Sequence, residues 1–158
     1  MTDRTDPHTA LLDDLIARLD AATRGSQELD AAIIARLVGG TFAQSPFNGA
    51  WCVYNGTNRN GQARLWEYAR GDAFGEKLWW TTARTEGLTS SVDAALVLVP
   101  DGCGCVLGAG RITPSEPLYG AVIFSDLSGR TEIGHGETNV SLALAVCIAA
   151  LRARKVTP

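Results

Sequence analysis

The residues able to do chemistry in this chain concentrate between positions 64 and 91. Thr81-Thr82-Ala83-Arg84-Thr85-Glu86-Gly87-Leu88-Thr89-Ser90-Ser91 runs into a helix start and offers hydroxyls, a guanidinium and backbone N–H groups, the ingredients of an anion cradle. Trp79 and Trp80 precede it closely enough for one ring to stack on a base while Thr82, Arg84, Ser90 and Ser91 face a phosphate. The competing structural reading is a capped helix behind a polar loop, with Asp93 in the first turn repelling phosphate. Arg64, Trp66 and Tyr68 share strand parity, so one strand face presents a cation between two aromatics. Such a face suits a nucleobase, and it equally suits an arginine stacked on a tryptophan for structural reasons.

Two other constellations are weaker. Cys103-Gly104-Cys105 puts two thiols on one side of a strand, but no second close pair and no nearby histidine completes a tetrahedral site, so neither a metal nor any other cofactor is expected. His135 beside Glu137, with Arg130 upstream, could be an acid/base pair; without a second base, a nucleophile or a metal it defines no reaction class, and a Gly-flanked loop is the simpler reading.

The elements that must position these residues follow from hydrophobic period and turn residues. Asp6-Pro7 is a helix start, and Leu11, Leu12, Leu15, Ile16 and Leu19 form one apolar stripe that Gly25 would stop. Ser26 caps a second helix with Leu29, Ile33 and Leu37 in line, ending at Gly39-Gly40, so positions 1–40 form a helical hairpin. Positions 41–89 lose the helical period and gain aromatics and three Asn-Gly pairs. They predict strands near Ala50 to Tyr54, Arg64 to Ala69 and Leu78 to Thr82, with turns at Asn48-Gly49 and from Asn55 to Gly61.

Ser90 and Asp93 have the spacing of a capping box for a third helix over 90–100, ended by Pro100-Asp101-Gly102. In 103–133, strands at Cys103 to Ile112 and Tyr119 to Ser125 are connected through Pro114 and Pro117, and a short strand at Arg130 to Ile133 stops at Gly134-His135-Gly136. Thr138 then caps a last helix over 138–155, apolar on nearly all sides and ending in Arg152, Arg154 and Lys155. The fold class is α+β: a layered α/β sandwich, with an antiparallel or mixed sheet covered by the N-terminal hairpin and two further helices.

Composition limits the function classes. The chain has 158 residues, a single-domain length, with 46% hydrophobic and 20% charged residues. A net charge of -3 supplies no broad cationic field for duplex nucleic acid, although a few arginines can still hold one phosphate. The start from Met1 to Pro7 is polar and acidic, and no apolar run reaches membrane-spanning length, so neither secretion nor a membrane location is expected. Cys52, Cys103, Cys105 and Cys147 read as core thiols of a reducing compartment.

Three stretches in order, Glu28-Leu29-Asp30-Ala31-Ala32-Ile33, Ser90-Ser91-Val92-Asp93-Ala94-Ala95-Leu96-Val97-Leu98-Val99-Pro100 and Leu142 through Arg154, resemble the phage ABA sandwich family of tailed-phage and prophage genomes. They cover the second, third and fourth helices, while Phe42 to Glu86 matches no pattern of that family. The resemblance implies a phage product working in the bacterial cytoplasm of its host and carries over no catalytic residue. The expectation is a binding protein, not an enzyme, that sequesters a small nucleotide immune signal of the cyclic ADP-ribose or related adenine type, through Arg64, Trp66, Trp79, Trp80, Thr82, Arg84, Ser90 and Ser91, as a homo-oligomer. The alternatives are a structural or interaction protein of phage assembly or host takeover, and a hydrolase of the same signals.

Overall fold

A computed structural model describes residues 7–46, 48–54, 64–67, 87–126 and 131–156, the side chains at 7–9 and 64–67 excepted. Within them the fold is α+β, with four helices and two three-stranded antiparallel sheets. The chain order is α1 (Pro7–Asp20), α2 (Gln27–Val38), β1 (Thr41–Gln44), β2 (Trp51–Tyr54), β3 (Arg64–Glu67), α3 (Val92–Leu96), β4 (Gly104–Thr113), β5 (Glu116–Phe124), β6 (Glu132–Thr138) and α4 (Leu142–Val156). One sheet has the order β1-β2-β3 and the other β4-β5-β6.

The N-terminal hairpin forms much as its pattern dictates. Leu12, Leu15, Ile16 and Leu19 of α1 are buried, whereas Leu11, placed in the same stripe by spacing, is 59% exposed. The helix stops at Asp20, short of Gly25, and Gly25 serves another purpose, because a side chain there would strike the Thr89 carbonyl. Ser26 caps α2 by accepting from the Leu29 N–H at 3.2 Å, and the helix ends at Gly39. The chain then turns directly into β1, a strand too short to announce itself by alternation, and returns through the predicted Asn48-Gly49 turn, where Asn48 Oδ1 accepts from the Ala50 N–H at 3.1 Å.

The third helix is shorter than predicted and its cap is one residue later. Ser91, not Ser90, accepts from the Ala94 N–H at 3.4 Å, so the capping box of Ser90 and Asp93 does not form. After Leu96 the backbone tightens into i→i−3 bonds at Val97, Leu98 and Val99. The Arg154 guanidinium of α4 donates to the Leu98 carbonyl at 3.1 Å and closes this end.

Sheet β4-β5-β6 departs from expectation at two glycines and a proline. Pro117 sits inside β5 opposite Arg111, near the hairpin tip, where the chain is exposed and a missing N–H costs little. The predicted break at Gly134-His135-Gly136 is instead the middle of β6. Those glycines are required by space. A Cβ on Gly134 would lie 2.2 Å from the Ala149 carbonyl oxygen, and one on Gly136 would lie 2.1 Å from that of Ala145. Helix α4 therefore rests on the strand at backbone distance through Ala145, Ala149 and Ala153, which recur every four residues along one face.

Helix α4 begins one turn after the predicted cap. Ser141 accepts from the Leu144 N–H at 3.2 Å, while Thr138 accepts from Val140 in the preceding turn. From Ala143 to Leu151 every residue of α4 is buried, and the helix touches β5, β6, α1 and α3. Completely burying Leu144, Ile148 and Leu151 contributes about 1.5–3 kcal/mol per side chain, so α4 is the axis of the core. Among the described residues no helix is long and apolar enough to cross a membrane.

Candidate functional site

The loop before α3 is tied down from beneath. Asp30, in the first turns of α2, is 1% exposed and accepts from the Thr89 N–H at 2.8 Å and the Thr89 hydroxyl at 2.7 Å. The Ser26 N–H in turn donates to Thr89 Oγ1 at 2.9 Å. Burial pushes the Asp30 carboxyl above its ordinary range, against the opposing pull of the Thr89 and Leu88 donors. Gly87 has φ +74, and any side chain there would meet Asp30 Oδ2 at 2.5 Å. On the far side Cys147 donates its thiol to the Leu88 carbonyl at 3.3 Å, and burial together with the neighbouring Asp30 charge pushes that thiol up.

Of the sequence-predicted binding residues, Ser90 is exposed and Ser91 is the α3 cap. Arg64 and Trp66 lie in β3, opposite Tyr54 and Val53, with a slip in register between them. Trp79, Trp80, Thr82 and Arg84 lie outside the described residues, as does the predicted strand from Leu78 to Thr82. Ser90 and Ser91 thus share a loop whose neighbouring Thr89 is committed to a buried carboxylate.

His135 stands in β6, not in a loop, and its ring lies between two carboxylates: Nε2 is 3.2 Å from Glu137 Oε1 and Nδ1 3.6 Å from Glu132 Oε1. All three side chains are about half exposed, and the Arg152 guanidinium donates to the His135 carbonyl and to Asp20 Oδ2. The arrangement is an exposed polar cluster on β6, open to water on its described sides. The four cysteines are free thiols, Cys52 and Cys147 buried and Cys103 and Cys105 partly so, and no group of three metal-ligating side chains comes together among the described residues.

Among the described residues, a concave feature that combines charge with an aromatic ring lies elsewhere, between α1, α2 and β1. It is a groove of about 320 Å³, at the small end of ligand-pocket sizes. Its floor exists because α2 turns Ala32 and Ala35 toward α1, and these short side chains cannot fill the gap that Leu11 and Leu15 border from the other helix. Phe42 of β1 supplies one wall, with its ring 5.8 Å from that of Trp51 at an angle of 42°. The Arg18 guanidinium lies over the Phe42 ring, 5.9 Å from its centroid, and donates to Glu28 at 3.0 Å. Arg36 and Asp14 complete the polar lining.

Sequence reading missed this groove because its two arginines stand on different helices, each looking like an ordinary solvated position. The available signal was Ala32 and Ala35, small residues on the face of α2 that meets α1, with Phe42 immediately after the helix. Comparison of the chain with family models, with curated proteins and with solved structures gives no match.

Proposed function

We propose that this chain binds and holds a small nucleotide, without cleaving it, as a phage-encoded protein that withdraws an adenine-nucleotide immune signal from bacterial defence in the host cytoplasm. The observation that carries the binding part is the groove between α1, α2 and β1: an apolar floor, an aromatic wall and two guanidiniums in one cleft suit a base joined to a phosphate. The resemblance of the second, third and fourth helices to the phage ABA sandwich family supports the biological setting. Holding without cleavage is part of the proposal, supported by a described lining that pairs no nucleophile with Asp14.

The test is to incubate the purified protein with a panel of cyclic nucleotides and ADP-ribose derivatives, remove it with its bound material, heat-denature it and analyse what is released. Depletion of a ligand followed by its intact recovery supports sequestration. An altered product supports a hydrolase, and no depletion of any compound removes both readings.

A second reading, an interaction protein of phage assembly or host takeover, is favoured by one observation. The hairpin of β4 and β5 runs out beyond the α4 cover with Val106 59% and Ile112 63% exposed, apolar surface of the kind that protein partners cover. The same surface, or the N-terminal helical hairpin, serves the proposed homo-oligomer, which light scattering of the eluted protein checks directly.

A further inference from the structure

We infer that the groove between α1, α2 and β1 selects a nucleotide with one base and a single phosphodiester charge, as in a 3′,5′-cyclic mononucleotide, and takes it by an exchange at Arg18: the base replaces the guanidinium on Phe42, and Arg18 leaves Glu28 for the phosphate. This rests on the binding function proposed above and narrows its ligand.

Charge limits the ligand first. Two guanidiniums line the cleft, Arg18 and Arg36, but Asp14 shares the lining and Glu28 holds Arg18 at 3.0 Å on its rim. These two guanidiniums and two carboxylates cancel, so the described lining with its rim carries no net positive charge. One phosphodiester charge is met by Arg18 once it leaves Glu28, whereas each further phosphate brings a negative charge toward Asp14 and Glu28, with no guanidinium beyond Arg18 and Arg36 in the lining among the described residues. Size agrees, since about 320 Å³ suits a single nucleotide unit.

The exchange follows from the position of Arg18. Its guanidinium already occupies the face of Phe42 on which a planar base would stack, and its side chain is 37% exposed, free to rotate on a long stem. An exposed ion pair such as Arg18–Glu28 contributes little, so giving it up for a charge-assisted bond to phosphate in a partly closed cleft is favourable. Glu28 is then a competitor of the ligand. Removing its charge strengthens binding, an outcome that no purely structural role for either residue produces.

The experiment is calorimetric titration of the full chain with cyclic AMP, cyclic GMP, ADP and ATP, repeated on Arg18→Gln, Glu28→Gln and Phe42→Leu. The expected result is tighter binding of the cyclic mononucleotides than of ATP, about tenfold weakening in Arg18→Gln, comparable weakening in Phe42→Leu and a gain of roughly threefold in Glu28→Gln. Arg18 and Glu28 are exposed, so their variants keep the fold and the result stays readable even if Phe42→Leu does not. Tighter binding of ATP than of cyclic AMP overturns the inference, as does unchanged affinity in both Arg18→Gln and Glu28→Gln. If the heat-release panel recovers an intact nucleotide while those two variants bind it like the parent chain, sequestration stands and the groove is not its site. If the panel recovers nothing, both proposals fall.

Discussion

Helix α4 meets its sheet backbone to backbone, through Ala145 and Ala149 on Gly134 and Gly136, whereas α1 and α2 meet β1 through side chains of unequal length that leave an open cleft. Both interfaces use small residues, with opposite results. On β6 the glycines let the helix sink until carbonyls and strand touch, and no space remains. On α2 the alanines line the cleft together with Leu15 and Phe42, and the space persists as a groove. Short side chains close one interface completely and border an open cleft at the other.

The largest effect is expected at Gly136. Replacing it by Val forces a Cβ into the Ala145 carbonyl, so strand or helix must move, and we expect a loss of about 3 kcal/mol, read as a shift of the urea midpoint. Gly108→Ala in β4 is the control, since nothing lies within 4 Å of the added carbon; its midpoint should stay within about 0.5 kcal/mol of the parent chain.

Asp30 ranks next, because it joins α2 to the loop before α3. Asp30→Ala strands the Thr89 N–H in a buried place and should cost about 1–3 kcal/mol. Asp30→Asn sharpens the point through pH. The unfolded carboxyl loses its proton near 3.8, and the folded one only at higher pH because its pKa is raised by burial. Its contribution to stability is therefore greatest below that value and declines as pH rises toward the raised pKa. Since Asn carries no such proton, the stability of Asp30→Asn relative to the parent should improve from pH 3.8 upward in parallel urea titrations. A flat difference would falsify the burial account.

Smaller effects follow at the caps and thiols. Ser91→Ala should lose about 1 kcal/mol and Ser90→Ala almost nothing, the reverse of what the sequence spacing implies. A thiol reagent added to the native chain should modify Cys103 and Cys105 and leave Cys52 and Cys147 intact until denaturant is added.

Much of the frame was legible in the chain. The apolar stripe of α1 apart from Leu11, the Ser26 cap, the stop at Gly39, the all-round apolar run of α4 and the Asn48-Gly49 turn each depend on local residues and appear where local rules place them. The misreadings share a cause. Gly134-His135-Gly136 looked like a break because glycine was read for its backbone freedom, while its role here is to make room for a helix distant in sequence. Ser90 looked like the cap by spacing with Asp93, yet Thr89 is held by Asp30 from α2, and the helix begins a residue later. Gly25 looked like a helix stop and is instead where Thr89 approaches. The groove escaped for the same reason, since Arg18, Ala32, Arg36 and Phe42 become neighbours only when α1 and α2 fold against β1.

Binding in the groove is tested by an NMR titration of the isotope-labelled chain with cyclic AMP, following backbone amides. Binding in the groove predicts saturable shifts gathered on positions 11–18 of α1, 32–40 of α2 and Phe42, with positions 87–91 unmoved. Shifts gathered instead around Ser90 and Ser91, or none at millimolar ligand, would contradict it.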